Sequence, residues 1–228
     1  MISSNISYVS EYKNAEGAST VTTEHTTVNS ATDIVRLDAE AVRASVRVVH
    51  LAGPEDLARM TPCAGWTLGD LVAHMTAQHD GFAAAAAGEG ADLTRWQPAG
   101  RAGDPVGEYE AAAGRVLAAF AADGVLDRRF TLPEISPELR FPAPQAIGFH
   151  FIDYVVHGWD VARSLGLDGY ELEPDLLDAA LPIARAVPDG GLREQGLVPF
   201  APAVTVTGEA SVLGQIVALL GRRPEWPD

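Results

Sequence analysis

From Asp33 onward, apolar residues recur at helical spacing through Ile34, Leu37, Ala41, Val42, Val46, Val49 and Leu51, until Gly53 and Pro54 stop them. This is the first predicted helix. MTPCAGW, from Met60 to Trp66, reads as a tight connection, and Thr67 with Asp70 three residues on has the form of a capping box that opens a second helix. Leu68, Leu71, Val72, Met75 and Phe82 line one side of that helix, and His74 falls inside the apolar stripe rather than opposite it. Gly88 to Pro105, rich in glycine and polar residues, reads as a surface loop.

A third helix is predicted over about Val106 to Ala122, where Tyr109, Ala113, Val116, Leu117 and Phe120 share a face, and Gly124 ends it. Arg129 to Phe141 contains Pro133 and Pro137 and supplies at most a short hairpin or an extended crossover. Pro142 and Pro144 suit the first turn of a fourth helix that reaches Gly166. A fifth helix follows at about Pro174 to Val187 and a last one at about Ala210 to Leu220. Residues 1–32 are dominated by Ser, Thr, Asn and Glu and cannot bury enough surface to fold alone, so they read as a flexible polar extension to one helical domain over 33–228.

Composition narrows the class. A chain of 228 residues with 47% hydrophobic side chains can fill one core. The formal net charge of -15 repels phosphate backbones and anionic membranes, so neither nucleic acid nor a membrane is expected as a partner. A small molecule is the expected partner, for a monomer or a homodimer. No stretch approaches the roughly 20 apolar residues of a membrane span, and the N-terminus lacks the pattern of a signal peptide. Cys63 is the single cysteine, so no intramolecular disulfide forms and a cytoplasmic setting is expected.

The fourth helix carries the chemistry. On an otherwise apolar rod, His150, Asp153, His157 and Asp160 fall on one face at spacings of three, four and three. A buried carboxylate beside a buried imidazole costs several kcal/mol unless charge and hydrogen bonds are supplied, and a divalent cation supplies both. Asp153 and His157 sit one turn apart and can converge on one ion, with His74 from the second helix as the best third ligand. Two imidazoles and one carboxylate leave a divalent ion with net charge +1 and an open position, the pattern of a catalytic site. Zinc is favoured, and nickel, iron and manganese also suit nitrogen and oxygen donors.

Around this set, His150 reads as a group that orients the ligands or as a structural residue, with a fourth ligand or substrate contact as alternatives, and Asp160 as a group that orients a ligand or pairs with Arg163. Trp159 and Cys63 read as core residues. Arg185, Arg193, Arg222 and Arg223 are candidate anion clamps among which the sequence does not choose.

The segments TPCAGWTLGDLVAHM (Thr61 to Met75), HFIDYVVHGWDVARSLG (His150 to Gly166) and GRRPEW (Gly221 to Trp226) resemble the DinB-like metal-binding proteins of bacteria, and more narrowly the N-terminal domain of mycothiol-dependent maleylpyruvate isomerase. The resemblance runs from about Asp33 to the C-terminus. It implies an all-α, four-helix up-and-down bundle with metal ligands at His74, Asp153 and His157. The isomerase commonly has glutamate where Asp153 stands, while many relatives have aspartate. The isomerase also has a further C-terminal domain that contributes to catalysis, for which this chain leaves no room.

The implied chemistry is that of a metal-dependent isomerase or S-transferase. The ion binds a thiol, mycothiol, as thiolate, and the thiolate attacks an activated small-molecule substrate. Two other readings fit the same residues: a thiol-independent metalloenzyme, whether hydrolase, isomerase or cyclase, in a biosynthetic pathway, and a non-catalytic protein that binds a small ligand.

Overall fold

In the computed structural model, the described residues are 30–98, 103–194, 200–206 and 208–227. The expected N-terminal extension lies outside them except at its last residues, because the first helix begins at Ser30.

Four long helices form the body: α1 (Ser30–Val49), α2 (Leu68–Ala87), α3 (Pro105–Phe120) and α4 (Ala143–Ser164). Contacts run α1 to α4, α4 to α2, α2 to α3 and α3 to α1, which closes a four-helix ring. The apolar stripes read from the sequence point inward: Leu37, Ala41 and Val42 of α1, Leu71, Val72 and Met75 of α2, Tyr109 and Val116 of α3, and Phe151, Val155 and Val156 of α4 are all buried.

The helix ends follow local chemistry. Thr67 and Asp70 form the expected capping box, each side chain bonding the other's backbone N–H, a device whose loss costs about 1 kcal/mol. Gly88 ends α2 in the left-handed region at φ 88°, where a Cβ would be strained. Asp104 caps α3 through the Gly107 N–H, with Pro105 at the first turn.

Between α3 and α4, β1 (Arg129–Thr131) and β2 (Arg140–Pro142) pair antiparallel with Phe130 opposite Phe141. Both phenylalanines are buried, so this hairpin is pinned to the bundle by its aromatic face. Beyond α4 come α5 (Pro174–Ala186), the short α6 (Gly191–Glu194) and α7 (Val212–Leu219), with α5 packed on both α4 and α7.

The segment after α2 departs from expectation. Its described residues contain a 3-10 turn, Leu93–Trp96, whose tryptophan is buried and donates its indole N–H to the Gly90 carbonyl at 2.9 Å. Room for the ring exists because position 81 on α2 is glycine: a Cβ there would stand 2.3 Å from Trp96 Cε3. A loop that is polar by composition therefore carries one core residue. Among the described residues, no helix is long and apolar enough to cross a membrane.

Candidate metal centre

α2 and α4 bring together the three residues singled out from the sequence. One donor atom each from His74, Asp153 and His157 lies within 4.8 Å of the other two. His157 Nε2 stands 3.3 Å from Asp153 Oδ1, and the His74 and His157 rings meet edge to face with centroids 5.4 Å apart. Around a tetrahedral ion with bonds near 2.1 Å, neighbouring donors are about 3.4 Å apart. The pair on α4 already has that separation, and a donor atom of His74 lies within 4.8 Å of both.

Burial fixes the protonation of the set. Desolvation, with the positive charge of His157 nearby, lowers the pKa of His74 to about 4, so its imidazole is neutral and its lone pair is available. Burial alone would raise Asp153, but the His157 charge and hydrogen bond outweigh it and hold the carboxyl at about 2. Burial opposes a charge on His157 as well; the charge of Asp153, with hydrogen bonds to Asp153 and Asp160, raises its pKa well above the ordinary imidazole value. The metal-free site thus holds a proton between His157 and Asp153, where an ion would sit. A neutral imidazole, an ionised carboxylate and an exchangeable proton suit a divalent cation.

Behind the ligands, the His157 Nδ1–H points to Asp160 Oδ2 at 3.0 Å. Asp160 is fully buried and takes the Arg222 guanidinium on the same oxygen at 3.0 Å and the Cys63 thiol at 3.2 Å. Burial would raise the Asp160 pKa, but the Arg222 charge overrides it and keeps the carboxylate ionised. Of the alternatives for Asp160, the structure selects the one that orients His157. Arg163 instead donates to the Trp226 carbonyl. Cys63, His157 and Asp160 also have donors close together, yet Arg222 already supplies the positive charge at that point, with its Nη2 3.1 Å from Cys63 Sγ.

His150 does not join the ligands. Its Nδ1 lies 2.6 Å from Asp38 Oδ1 on α1 and its Nε2 lies 3.1 Å from His79 Nδ1 on α2, so both ring nitrogens are engaged in a separate buried chain. His150 thus neither joins nor orients the ligands, its structural reading holds, and the polar face of α4 divides into two clusters. Asp38 and His79 were not singled out from the sequence, although each interrupts an apolar stripe as His74 does. His79 stacks on Tyr154 with centroids 4.0 Å apart, and burial pushes its pKa well below the ordinary value.

Trp159 is in the core, as expected. Arg193, one of the four candidate anion clamps, is instead committed to the carbonyls of Val187, Pro188, Ala201 and Leu219. Arg222 serves Asp160. Arg185 and Arg223 are exposed and have no role in the cluster.

A cavity of about 90 Å³ opens beside His74 and Asp153. Its walls include Phe82, Trp96, Leu132, Phe149, Ile152 and Phe200, with Gln78 and Glu134 as the other polar lining groups among the described residues. Gln78 donates to Glu134 Oε2 at 2.8 Å. Neither residue carried a signal in the sequence, because the hairpin loop that bears Glu134 reaches α2 only in the folded chain.

Residues 39–162 match the family model described as the mycothiol maleylpyruvate isomerase N-terminal domain. Uncharacterized proteins from two strains of Mycobacterium tuberculosis are each 32% identical over 189 residues, which is 80% of this chain and 90% of theirs. A crystal structure of the mycothiol-dependent maleylpyruvate isomerase is similar in fold, with a TM-score of 0.59 at 14% identity, over 86% of this chain and 90% of that one. On the family model and on the two mycobacterial relatives, this chain belongs to the mycothiol maleylpyruvate isomerase N-terminal domain family.

Proposed function

We propose that this protein is a metal-dependent enzyme of the mycothiol-dependent isomerase and S-transferase type, with a divalent ion, zinc in first place, held by His74, Asp153 and His157. The observation that carries the reading is the two-sided engagement of His157. Asp160 takes its Nδ1–H and so leaves Nε2 for the side where Asp153 and His74 stand. A histidine serving only as a core residue has no need of a carboxylate on each nitrogen and a neutral imidazole beside them.

A divalent ion bound by these groups would keep an open position and lower the pKa of a small-molecule thiol, so that a nucleophile is available at neutral pH. The protein's own groups do the rest. Asp153 is the anionic ligand, and His74 binds without first losing a proton. Asp160, anchored by Arg222, fixes the ring of His157. The apolar walls of the neighbouring cavity exclude water from an activated substrate seated beside the ligands. Family membership supports mycothiol as the thiol, and the single cysteine is compatible with work in the cytosol.

The test is metal analysis of protein purified without affinity metals, followed by turnover of electrophilic small molecules with and without mycothiol. About one divalent ion per chain and thiol-dependent turnover are expected. Protein with no metal affinity would overturn the reading, and metal-dependent turnover indifferent to thiol would make it a thiol-independent metalloenzyme.

A further inference from the structure

The cavity beside the ligands has a direction. His74, Gln78 and Phe82 follow one another at four-residue intervals on α2 and all line it, so it runs along that helix for two turns from the ligand end. α4 passes α2 in the opposite sense, since His74 meets His157 while His79 meets His150. Asp153 therefore lines the ligand end and Phe149 stands one turn further in. Trp96 closes the far end: its ring meets that of Phe82 edge to face, with centroids 5.3 Å apart.

This end wall is fixed from several sides. The indole N–H donates to the Gly90 carbonyl at 2.9 Å. The benzo edge occupies the space that a side chain at position 81 would need, with Cε3 2.3 Å from where a Cβ would stand. Gly90, the acceptor, is packed as closely, because a Cβ there would stand 2.4 Å from the Thr131 carbonyl oxygen on β1. A buried ring held by a hydrogen bond and wedged against backbone cannot turn aside for a ligand without breaking one of these contacts. Gly81, in the middle of α2, gives up helix stability to seat it.

Volume decides what such a wall admits. The cavity's 90 Å³ is roughly three times the share of one water molecule, whereas an apolar cavity that takes a benzene ring measures about 150 Å³. The space suits an open-chain group of about four non-hydrogen atoms and stops short of a six-membered ring. An ion on the ligands and the charge of His157 do not relax this limit, because it is one of shape.

We propose that Trp96 is the specificity-determining residue of this site: it sets the depth of the cavity, so that the part of the substrate seated beside the ligands is a narrow open-chain group and a ring is excluded. This rests on the proposed function only in taking the cavity as the substrate's seat.

The experiment titrates the full chain, stripped of metal by chelation, with xenon and with benzene, and follows the methyl signals of Leu132 and Ile152, which line the cavity, by NMR. Xenon, a single atom, is expected to shift these signals in the native chain, and benzene to bind it at least about tenfold more weakly than it binds Trp96→Ala. In that variant bound benzene should contact Ile152 as well as Phe82, as it would if the space left by the indole is continuous with the ligand end. Trp96→Phe keeps most of the apolar filling and serves if Trp96→Ala fails to fold; it should gain at least about threefold in benzene affinity over the native chain. No xenon shift in the native chain, benzene bound by the native chain as tightly as by the folded variants, or bound benzene without contact to Ile152 would each overturn the proposal. Because neither metal nor thiol is present, these outcomes are separate from failure of the metal-dependent reading, which the metal analysis decides.

Discussion

Asp160 Oδ2 lies 3.0 Å from Nδ1 of His157, three residues earlier on the same helix, and both side chains are buried. The relationship turns a helical repeat into chemical control, because a carboxylate on one ring nitrogen determines the tautomer and so which nitrogen is free to bind. Arg222, from the far end of the chain, keeps that carboxylate charged in a dry environment.

Removal of a ligand should be visible in metal content. His157→Ala is expected to abolish binding, and Asp153→Asn to weaken it at least about tenfold because the anionic donor is lost. Metal titration with a chromophoric chelator measures both. Full stoichiometry in His157→Ala would show that the three residues are not the ligand set.

Asp160→Asn should act on two quantities at once. Metal affinity is expected to fall by about 10–100-fold through loss of the orienting bond to His157. Stability should fall by about 3 kcal/mol, because the buried Arg222 guanidinium keeps its charge without an anionic partner. Denaturant unfolding of the metal-free protein reads the second effect separately, and an Asp160→Asn, Arg222→Met double variant should recover part of the stability but not the affinity.

The buried histidines predict a pH dependence in the metal-free chain. The pKa of His79 is well below 6.5 in the folded state and near 6.5 in the unfolded chain, so below pH 6.5 the unfolded chain binds a proton that the folded chain refuses. Its contribution to stability is present above pH 6.5 and is lost as pH falls, with a limiting slope of about 1.4 kcal/mol per pH unit. His74, with a folded value of about 4, acts in the same direction. Unfolding free energy followed from pH 6.5 to 5 should therefore fall less steeply in His79→Phe than in the native chain. Parallel slopes would show that His79 is protonated in the folded state.

Gly81 should tolerate no side chain. A Cβ at this position would stand 2.3 Å and 2.4 Å from ring atoms of Trp96, and a ring held by its own hydrogen bond to Gly90 cannot yield cheaply. Gly81→Ala is expected to cost about 1–3 kcal/mol of stability and to displace a wall of the cavity, with thermal unfolding and tryptophan fluorescence as the two readouts. Unchanged values in both would mean that the 3-10 turn moves freely.

How far the sequence reached depended on the range of each interaction. Helix positions, caps and the inward face of α4 follow from residues within one or two turns of each other, and so does the pairing of Asp153 with His157, because helical geometry fixes the distance between i and i+4. His74 was legible as an interruption of an apolar stripe. The same logic, applied to Asp38 and His79, would have found the second polar cluster. What periodicity could not supply was which polar groups meet across the bundle. His150 and His157, on one face of one helix and two turns apart, have different partners because α1 and α2 present Asp38 and His79 to the first, while Cys63 and the C-terminal Arg222 close around the residue that orients the second. Glu134 reaches the cavity only through the pairing of Phe130 with Phe141 and the burial of both rings. Local sequence thus determined the rods and their chemistry-bearing faces. The packing of segments distant in the chain decided which donors share a charge and what stands opposite them, since those energies depend on distances that only the folded chain sets.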